Sequence, residues 1–295
     1  MPVTLHHLNA DSSWLISFSE PHFTLLLDPW FTGSQVDIHP LFSSQSHVVP
    51  SEFNTIQELS SSLSTQNKQI DAVIISFEFS DHLHKETIEG VGGLGETQFF
   101  ALPRAAKILR SWGRQKVQDI PEAYSTVKVN QDPNQHPIEL SYITATTTCA
   151  GQRLHGALSI SFQMSDHKRG VILYSPHGIP SSDLDRRLRN QTPEQTEIVA
   201  IISSWDVISN PWWLGGTISL GAPSILPFLR SIPKPSVTRY WIRTHDEQKD
   251  KHGLVGKVLK REVWTKEMVS KDLTQDLKVL ELGSGEQLEM DILEQ

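Results

Sequence analysis

The chain has 295 residues, 38% of them hydrophobic, so it is long enough to bury the core of one large α/β domain. Its 26 basic and 34 acidic side chains give a formal net charge of −8 and form no Lys/Arg cluster, which argues against a nucleic-acid partner. No apolar run approaches the roughly 20 residues that span a bilayer, and the single cysteine, Cys149, allows no internal disulfide, so we expect a cytoplasmic location.

Short apolar and β-branched runs in the first third predict strands over residues 3–8, 13–18 and 23–27. Turn-forming residues separate these runs, and the close spacing predicts an antiparallel meander. Residues 28–50 carry Pro, Gly and Ser without a clear period, so we expect a long surface loop there.

The next portion alternates between helical and strand patterns, which is typical of an α/β arrangement. The predicted helices cover residues 51–63, 85–89 and 103–112, and the predicted strands cover residues 72–76 and 99–102. The glycine-rich residues 89–98 lack the GK[ST] of a P-loop and the spacing of a dinucleotide fingerprint, so no phosphate-binding loop is predicted there.

The second half repeats the same plan of strands followed by alternating helices and strands. Strands are predicted over residues 124–129, 138–144, 158–163, 171–174, 197–202 and 237–241. Helices are predicted from residue 181 onward and over residues 222–229 and 254–273, the last being long and amphipathic. The polar residues 283–295 are expected to be a mobile tail, and we predict a single domain over residues 1–295.

Three polar clusters follow predicted buried strands: Asp81 with His82 and His84, then His177, then His245. Ligands of α/β sheets gather beyond strand ends, so these clusters point to one shared site. One carboxylate and three imidazoles suit Zn²⁺, Fe²⁺ or Mn²⁺. Each residue also has an ordinary structural explanation, because Asp81 is a suitable helix N-cap, His177 fits a tight turn, and His245 could cap a helix or be exposed.

Taken in order, the elements from about residue 3 to 265 resemble the metallo-β-lactamase superfamily. The segments SSWLISF and FTLLLDPWF resemble the opening hairpins and Asp-Pro-Trp turn of its ascorbate-lactonase-like and phospholipase-D-like branch. The Asp-His-x-His and Pro-His-Gly elements resemble a fungal group within the superfamily. The resemblance implies an αββα sandwich of the α/β (α+β) class, with two mixed sheets face to face and helices outside.

The family signature is Ser-His-x-His-x-Asp-His, and residues 76–82 fall on its register. Phe77 and Phe79 stand where two histidines would bind the first metal, which implies that this metal site is lost. Asp81 and His82 are retained, and His177 and His245 occupy the places of the bridging aspartate and the late histidine. The resemblance therefore implies one metal ion at the second-site position, with Zn²⁺ preferred over Fe²⁺ or Mn²⁺.

Further residues have candidate roles near such a site. Asp81 could act as a general base instead of a ligand, and His84 and His155 are candidate catalytic or substrate-contacting residues. For His84, a solvated histidine on the first turn of a helix is an equal alternative. Asp28, beside Pro29, is predicted to be a structural turn acid rather than a catalyst, and Cys149 is expected to be inert.

Several aromatic residues could line a pocket beside the site. Phe77 and Phe79 alternate along the chain and share one face if that segment is extended. The proposed lining residues are Phe77, Phe79, Trp30, Trp212 and Trp213. Ordinary packing is the alternative for each of them. If several line one cleft, the substrate is an apolar or aromatic small molecule.

Three functions compete on these residues. The first is a metal-dependent hydrolase with one metal ion, acting on a small ester, lactone or phosphoester. The second is a non-hydrolytic mononuclear metalloenzyme, such as an oxygenase or lyase that uses Fe²⁺. The third is a metal-free pseudoenzyme or binding protein that has kept the fold.

Overall fold

A computed structural model describes residues 2–290 and residue 292 of the chain, with gaps. The gaps are residues 38, 122–124, 131, 133–134, 147–153, 166–167, 190–195, 233–236, 238, 272 and 274–275, so Cys149 lies outside the described residues. The chain forms two compact units. Unit 1 contains Met1–Ile120, Glu247–Lys257 and Leu282–Met290, and unit 2 contains Pro121–Asp246, Val258–Glu281 and Asp291–Gln295.

Unit 1 is built on a seven-stranded mixed sheet. In spatial order its strands are Gln287–Met290, Val3–His7, Trp14–Phe18, Phe23–Leu27, Ala72–Ile75, Gln98–Ala101 and Val117–Asp119. The first three neighbour pairs are antiparallel and the last three are parallel. The second and third antiparallel pairs confirm the predicted meander, whereas the pair with Gln287–Met290 was not predicted. A small sheet of Gln35–Asp37, Ser43–Ser46 and Asp250–His252 accompanies it.

The helices of unit 1 cover one face of this sheet. They are Ile56–Thr65, Lys85–Glu89 and Pro103–Ser111. The Thr55 side chain caps the first by accepting from the Glu58 amide, and Ile56, Leu59 and Leu63 point into the core at helical spacing. Pro103 begins the third helix at a position where a missing amide costs nothing.

Unit 2 is also built on a seven-stranded mixed sheet, with parallel pairs in one half and antiparallel pairs in the other. In spatial order its strands are Leu277–Leu280, Arg239–Arg243, Thr196–Ser203, Lys168–Ser175, Gly156–Ser165, Glu139–Thr144 and Val127–Lys128. The first three neighbour pairs are parallel and the last three antiparallel. A small sheet joins Val207–Ser209, Thr217–Ser219 and Lys260–Glu262, and a 3₁₀ helix covers Trp212–Leu214.

Helices Ser181–Arg189, Gly221–Ser231 and Lys266–Ser270 belong to unit 2, and their apolar faces join its core. Two large mixed sheets with helices outside confirm the predicted α/β (α+β) class. The division into units does not test the prediction of one domain over residues 1–295, which stays a prediction. Among the helices that the structure describes, none has the length and apolar character needed to cross a membrane.

The long helix expected over residues 254–273 is wrong. The structure has two short helices, Leu254–Val258 and Lys266–Ser270, and the strand Lys260–Glu262 between them. That strand pairs with Val207–Ser209, and the Asp206 carboxylate accepts hydrogen bonds from the Arg261 side chain and the Trp264 amide. These long-range partners override the helical period, and Thr265 then caps a new helix.

Two further expectations also need correction. Residues 28–50 are not all loop, because Gln35–Asp37 and Ser43–Ser46 pair with each other. Residues 283–295 are not simply a mobile tail, because Gln287–Met290 forms the edge strand beside Val3–His7. The first pair of strands is too polar to show a strand pattern, whereas Gln287–Met290 alternates polar and apolar residues and buries Met290, a short signal within a polar stretch.

Candidate functional site

The first cluster lies in the turn after the buried strand Ala72–Ile75 of unit 1. Beyond Ser76 the chain leaves the sheet, and the amides of His82 and Leu83 both donate to the carbonyl of Phe79. This tight turn brings Asp81 and His82 back toward the strand end, and both side chains are buried. A buried acid and imidazole need polar partners, which the neighbouring strand supplies.

His82 is fully buried, and its Nδ1 donates to Oδ2 of Asp28 at 2.7 Å. This fixes the proton on Nδ1 and leaves Nε2 as the atom that can bind a metal, as in carboxylate–histidine–metal arrangements. Burial lowers the pKa of His82, but the carboxylates of Asp81 and Asp28 outweigh it, and the pKa is raised overall.

Asp28, which was predicted to be a structural turn acid, joins His82 to the end of the neighbouring strand. Its carboxylate also accepts from the amide of Ser76 at 2.7 Å and from its hydroxyl at 2.5 Å, and its φ of +46° is left-handed. Phe23–Leu27 and Ala72–Ile75 are parallel neighbours, so Asp28 and Ser76 emerge at the same sheet edge. An acid directly after a predicted strand was the signal that could have identified it.

Asp81 and Phe77 lie close to His82 within unit 1, and Phe79 packs near Phe77. Oδ1 of Asp81 lies 3.9 Å from Nε2 of His82. The Phe77 ring lies 5.3 Å from the His82 ring and 6.5 Å from the Phe79 ring, with the two phenyl planes only 22° apart. The two phenylalanines therefore make a joint apolar wall beside the imidazole, although their role as substrate-pocket residues stays a prediction.

The other two histidines come together in unit 2. His177 follows the strand Lys168–Ser175 and His245 follows Arg239–Arg243, and both strands run parallel to Thr196–Ser203 between them. Their rings are buried and 4.8 Å apart in an edge-to-face arrangement, with ring nitrogens within 4.8 Å of each other. The strand-end rule that motivated the sequence prediction accounts for this juxtaposition.

The turn that carries His245 is held by an ionic network. Its next residue, Asp246, accepts from the Ser204 hydroxyl and the Trp205 amide, each at 2.6 Å, and from Nε of Arg243 at 3.0 Å. Burial and the neighbouring Asp206 raise the pKa of Asp246, and the Arg243 guanidinium opposes them. Because its neighbour is anchored this firmly, His245 keeps a left-handed φ of +58°.

The two histidines predicted as catalytic have structural contacts. Nδ1 of His155 lies 3.2 Å from the carbonyl of His177, so His155 supports the turn that carries His177. His84 is the N-cap of Lys85–Glu89, where its side chain accepts from the Thr87 amide. Burial lowers the pKa of both imidazoles and favours their neutral forms. A catalytic role for either one stays a prediction.

The tryptophans differ in exposure. Trp30 is fully buried, and its indole NH donates to the carbonyl of Gly33 at 3.3 Å. Trp212 and Trp213, on the 3₁₀ helix of unit 2, are 85% and 63% exposed. Exposed rings remain accessible to a substrate, and the role of Trp212 and Trp213 as pocket residues stays a prediction.

The chemistry of the donor set fits a divalent metal ion. Unit 1 offers a buried imidazole with a fixed tautomer beside a carboxylate, and unit 2 offers two buried imidazoles close together. Imidazole nitrogen and carboxylate oxygen are the ligands that Zn²⁺, Fe²⁺ and Mn²⁺ take in proteins.

Comparison with known proteins places this chemistry in context. Residues 7–176 match the family described as "Beta-lactamase superfamily domain". The structure is similar to unliganded yeast PDE1, with a TM-score of 0.52 and 10% identity over 98% of this chain and 100% of that one. It is also similar to a diphosphatase of the PhnP family, with a TM-score of 0.49 and 12% identity over 98% of each chain. No curated protein sequence matches significantly.

Proposed function

The chain belongs to the beta-lactamase superfamily, and on this premise we propose that it is a metal-dependent hydrolase with one divalent metal ion. The proposed ligands are Asp81, His82, His177 and His245. The observation that carries the proposal is the buried His177–His245 pair, whose ring nitrogens lie within 4.8 Å of each other. Each histidine follows a strand that runs parallel to Thr196–Ser203. Buried imidazoles this close can converge on one ion.

The unit 1 residues support the same chemistry. Asp28 holds His82 in the tautomer that a metal ligand needs, and Asp81 places a carboxylate oxygen 3.9 Å from Nε2 of His82. Phe77, whose ring lies 5.3 Å from the His82 ring, and Phe79 beside it offer no ligand atoms for a second ion. This donor set favours a single ion, with Zn²⁺ as the preferred metal and Fe²⁺ or Mn²⁺ as alternatives.

When bound, such an ion lowers the pKa of water toward 7 and polarises a carbonyl or phosphoryl oxygen. Four protein ligands fill a tetrahedral site, so a hydrolase needs a fifth position or one ligand fewer. Asp81 can meet this need by lying outside the coordination sphere and accepting the proton of the attacking water as general base. His155 would stabilise the turn that carries His177 through its hydrogen bond to the His177 carbonyl.

The proposed substrate is a small ester, lactone or phosphoester with an apolar or aromatic part. The joint wall of Phe77 and Phe79 would contact that part, with Trp30, Trp212 and Trp213 as further proposed lining residues. The exposed Trp212 ring allows a direct test, since its replacement by serine should raise the KM for an aryl ester and leave thermal stability unchanged.

Metal analysis of protein purified without chelators tests the proposal. We expect about one equivalent of a divalent transition metal, its loss on His82→Ala, and hydrolysis of an aryl ester, a lactone or a phosphodiester that depends on it. His252→Ala, which removes a 70% exposed side chain, is the matched control and should retain both. Less than about 0.1 equivalent of metal, with activity unchanged in His82→Ala, would contradict the proposal.

A further inference from the structure

Lys249 brings a buried ammonium group to the carboxylate of Asp81. Its Nζ lies 2.8 Å from Oδ2 of Asp11 and 3.8 Å from Oδ2 of Asp81, all within unit 1. The lysine side chain is only 8% exposed, and both carboxylates are buried. A buried lysine is uncommon, and it is normally stabilised by opposite charges such as these.

The ring of Trp30 also contacts the ammonium group of Lys249. The Trp30 ring centroid lies 4.9 Å from Nζ of Lys249, within the range of a cation–π contact. Trp30 itself is fixed, because its amide donates to the Ser13 hydroxyl at 2.8 Å and its carbonyl accepts from Asn9 at the same distance. The cation is therefore set in a rigid, preformed position.

The residue next to Asp11, Ser12, forms a hydrogen bond to the turn that carries Asp81. The hydroxyl of Ser12 donates to the backbone carbonyl of Asp81 at 2.7 Å. Asp81 is thus held at its backbone by Ser12 and at its carboxylate by Lys249, while Oδ1 faces Nε2 of His82. Its two carboxylate oxygens face different side chains at 3.9 and 3.8 Å, and the attraction to the Lys249 ammonium favours this orientation.

We propose that Lys249 is a positioning residue, whose buried ammonium orients the Asp81 carboxylate and balances its charge so that a single metal ion suffices at the site. The proposal rests on the function proposed above, since it concerns the same carboxylate. Without the ammonium of Lys249, the carboxylates of Asp11 and Asp81 would be buried anions without this cation, which costs free energy. Lys249 touches neither water nor substrate in this role and acts through Asp81.

Chemical rescue separates the charge of Lys249 from its bulk. Lys249→Ala should lose its metal to a chelator about 10- to 100-fold faster, the usual effect of removing a group that orients a ligand. Propylammonium replaces the deleted atoms with their charge, and we expect it to restore metal retention and Tm. Propan-1-ol, which has the same shape without the charge, should restore neither, and Lys249→Arg should retain most of both.

A second variant tests whether Lys249 is needed by Asp81 or only by Asp11. Asp11→Asn/Lys249→Met removes the closer ion pair as a unit, so a lysine needed only by Asp11 would no longer matter. We expect this variant to fold and still release metal at least about tenfold faster than the wild type. It also tests the proposal if Lys249→Ala fails to fold even with propylammonium.

The outcomes are distinct from failure of the proposed function. A wild-type protein without metal contradicts that function itself. A wild-type protein with one metal ion, together with any of three results, overturns the role of Lys249: normal retention in Lys249→Ala, equal rescue by propan-1-ol, or normal retention in the double variant. Two tightly bound metal ions in the wild type would also overturn it.

Discussion

Asp28 and His82 are 54 residues apart in the chain, yet their side chains form a fully buried hydrogen bond of 2.7 Å between Oδ2 and Nδ1. The contact exists because Phe23–Leu27 and Ala72–Ile75 are parallel neighbours whose C-terminal ends meet. It determines which nitrogen of His82 carries the proton. If His82 binds the proposed metal ion, the carboxylate of Asp28 would influence the metal through this hydrogen bond, without being a ligand itself.

Asp28→Asn should weaken metal retention about 10- to 100-fold with little change of shape. An amide NH₂ facing His82 cannot accept its Nδ1 proton, so the imidazole is driven to the tautomer with the proton on Nε2, the proposed ligand atom. The measurement is the rate of metal loss to a chelator, alongside the thermal unfolding of the metal-free protein.

Asp71→Asn is the control for Asp28→Asn. Asp71 also accepts a backbone amide of the same sheet, that of Thr24 at 2.7 Å, and it accepts from the Gln69 side chain, but it hydrogen-bonds to no histidine among the described residues. It should therefore change metal retention by less than about twofold. Equal metal loss in the two variants would show that Asp28 acts through general sheet stability and not through His82.

The sequence was informative where chemistry follows strand ends. The rule that ligands gather beyond parallel strands predicted that His177 and His245 would meet, and the strand order of unit 2 explains why they do. The contact between Asp28 and His82 was not predicted, because it depends on the parallel pairing of two strands separated by more than 40 residues. No local pattern encodes that register.

The prediction of a helix over residues 254–273 was wrong for the same reason, because residues distant in the sequence determine the local structure. Its apolar period is real, but the Asp206 carboxylate, more than 50 residues earlier, binds the Arg261 side chain and the Trp264 amide. These contacts hold Lys260–Glu262 as a strand. Lys249 was likewise missed, since a lysine in a polar stretch gives no sign that its side chain is buried.

Gly178 should be intolerant of any side chain because it shapes the turn that carries His177. Its φ is +80°, and an added Cβ would lie 2.9 Å from Cβ of Leu220. Gly113→Ala is a matched control with a φ of +88° and no atom within 4 Å of the added Cβ. We expect about 1–2 kcal/mol of destabilisation for the control, and more for Gly178→Ala.

Metal retention gives the second readout for this pair of glycine variants. Gly178→Ala should also release metal faster, because the clash displaces the neighbouring His177, whereas Gly113→Ala should retain metal normally. Denaturant unfolding and chelator challenge measure the two effects. Equal stability losses, with normal metal retention in both variants, would show that the turn can move without moving the imidazole.

Asp206 should be the most sensitive member of the ionic network in unit 2. It is fully buried and accepts from Arg261 at 2.6 Å, Arg243 at 3.0 Å and the Trp264 amide at 2.8 Å. Asp206→Ala leaves two partly buried guanidinium groups without this partner, so we expect a loss of about 3–5 kcal/mol in the free energy of unfolding.

Arg104→Ala is the reference for the Asp206 prediction. It breaks a pair with Glu78 in which the arginine is 55% exposed, and such pairs contribute about 0–1 kcal/mol. Denaturant titration of both variants under identical conditions gives the comparison. If Asp206→Ala costs no more than Arg104→Ala, the buried network does not hold the Lys260–Glu262 strand.

His7 should make unit 1 sensitive to acid. It is buried against the Trp14 ring at 4.0 Å, and Nδ1 donates to the Leu282 carbonyl at 2.7 Å. Burial is the main cause that lowers the pKa of His7 below its ordinary value of 6.5. The folded state then binds fewer protons than the unfolded chain, so this stability is present above pH 6.5 and is lost as the pH falls through the lowered folded-state pKa.

His7→Gln removes this titration, so its unfolding free energy should fall less steeply between pH 7 and pH 5 than that of the wild type. The difference in slope is at most about 1.4 kcal/mol per pH unit, the limit for one proton. Urea unfolding at several pH values measures it, and His252→Gln, at an exposed position, should keep the wild-type slope. An unchanged slope in His7→Gln would assign the acid sensitivity to other buried histidines, such as His84 and His155, whose pKa values burial also lowers.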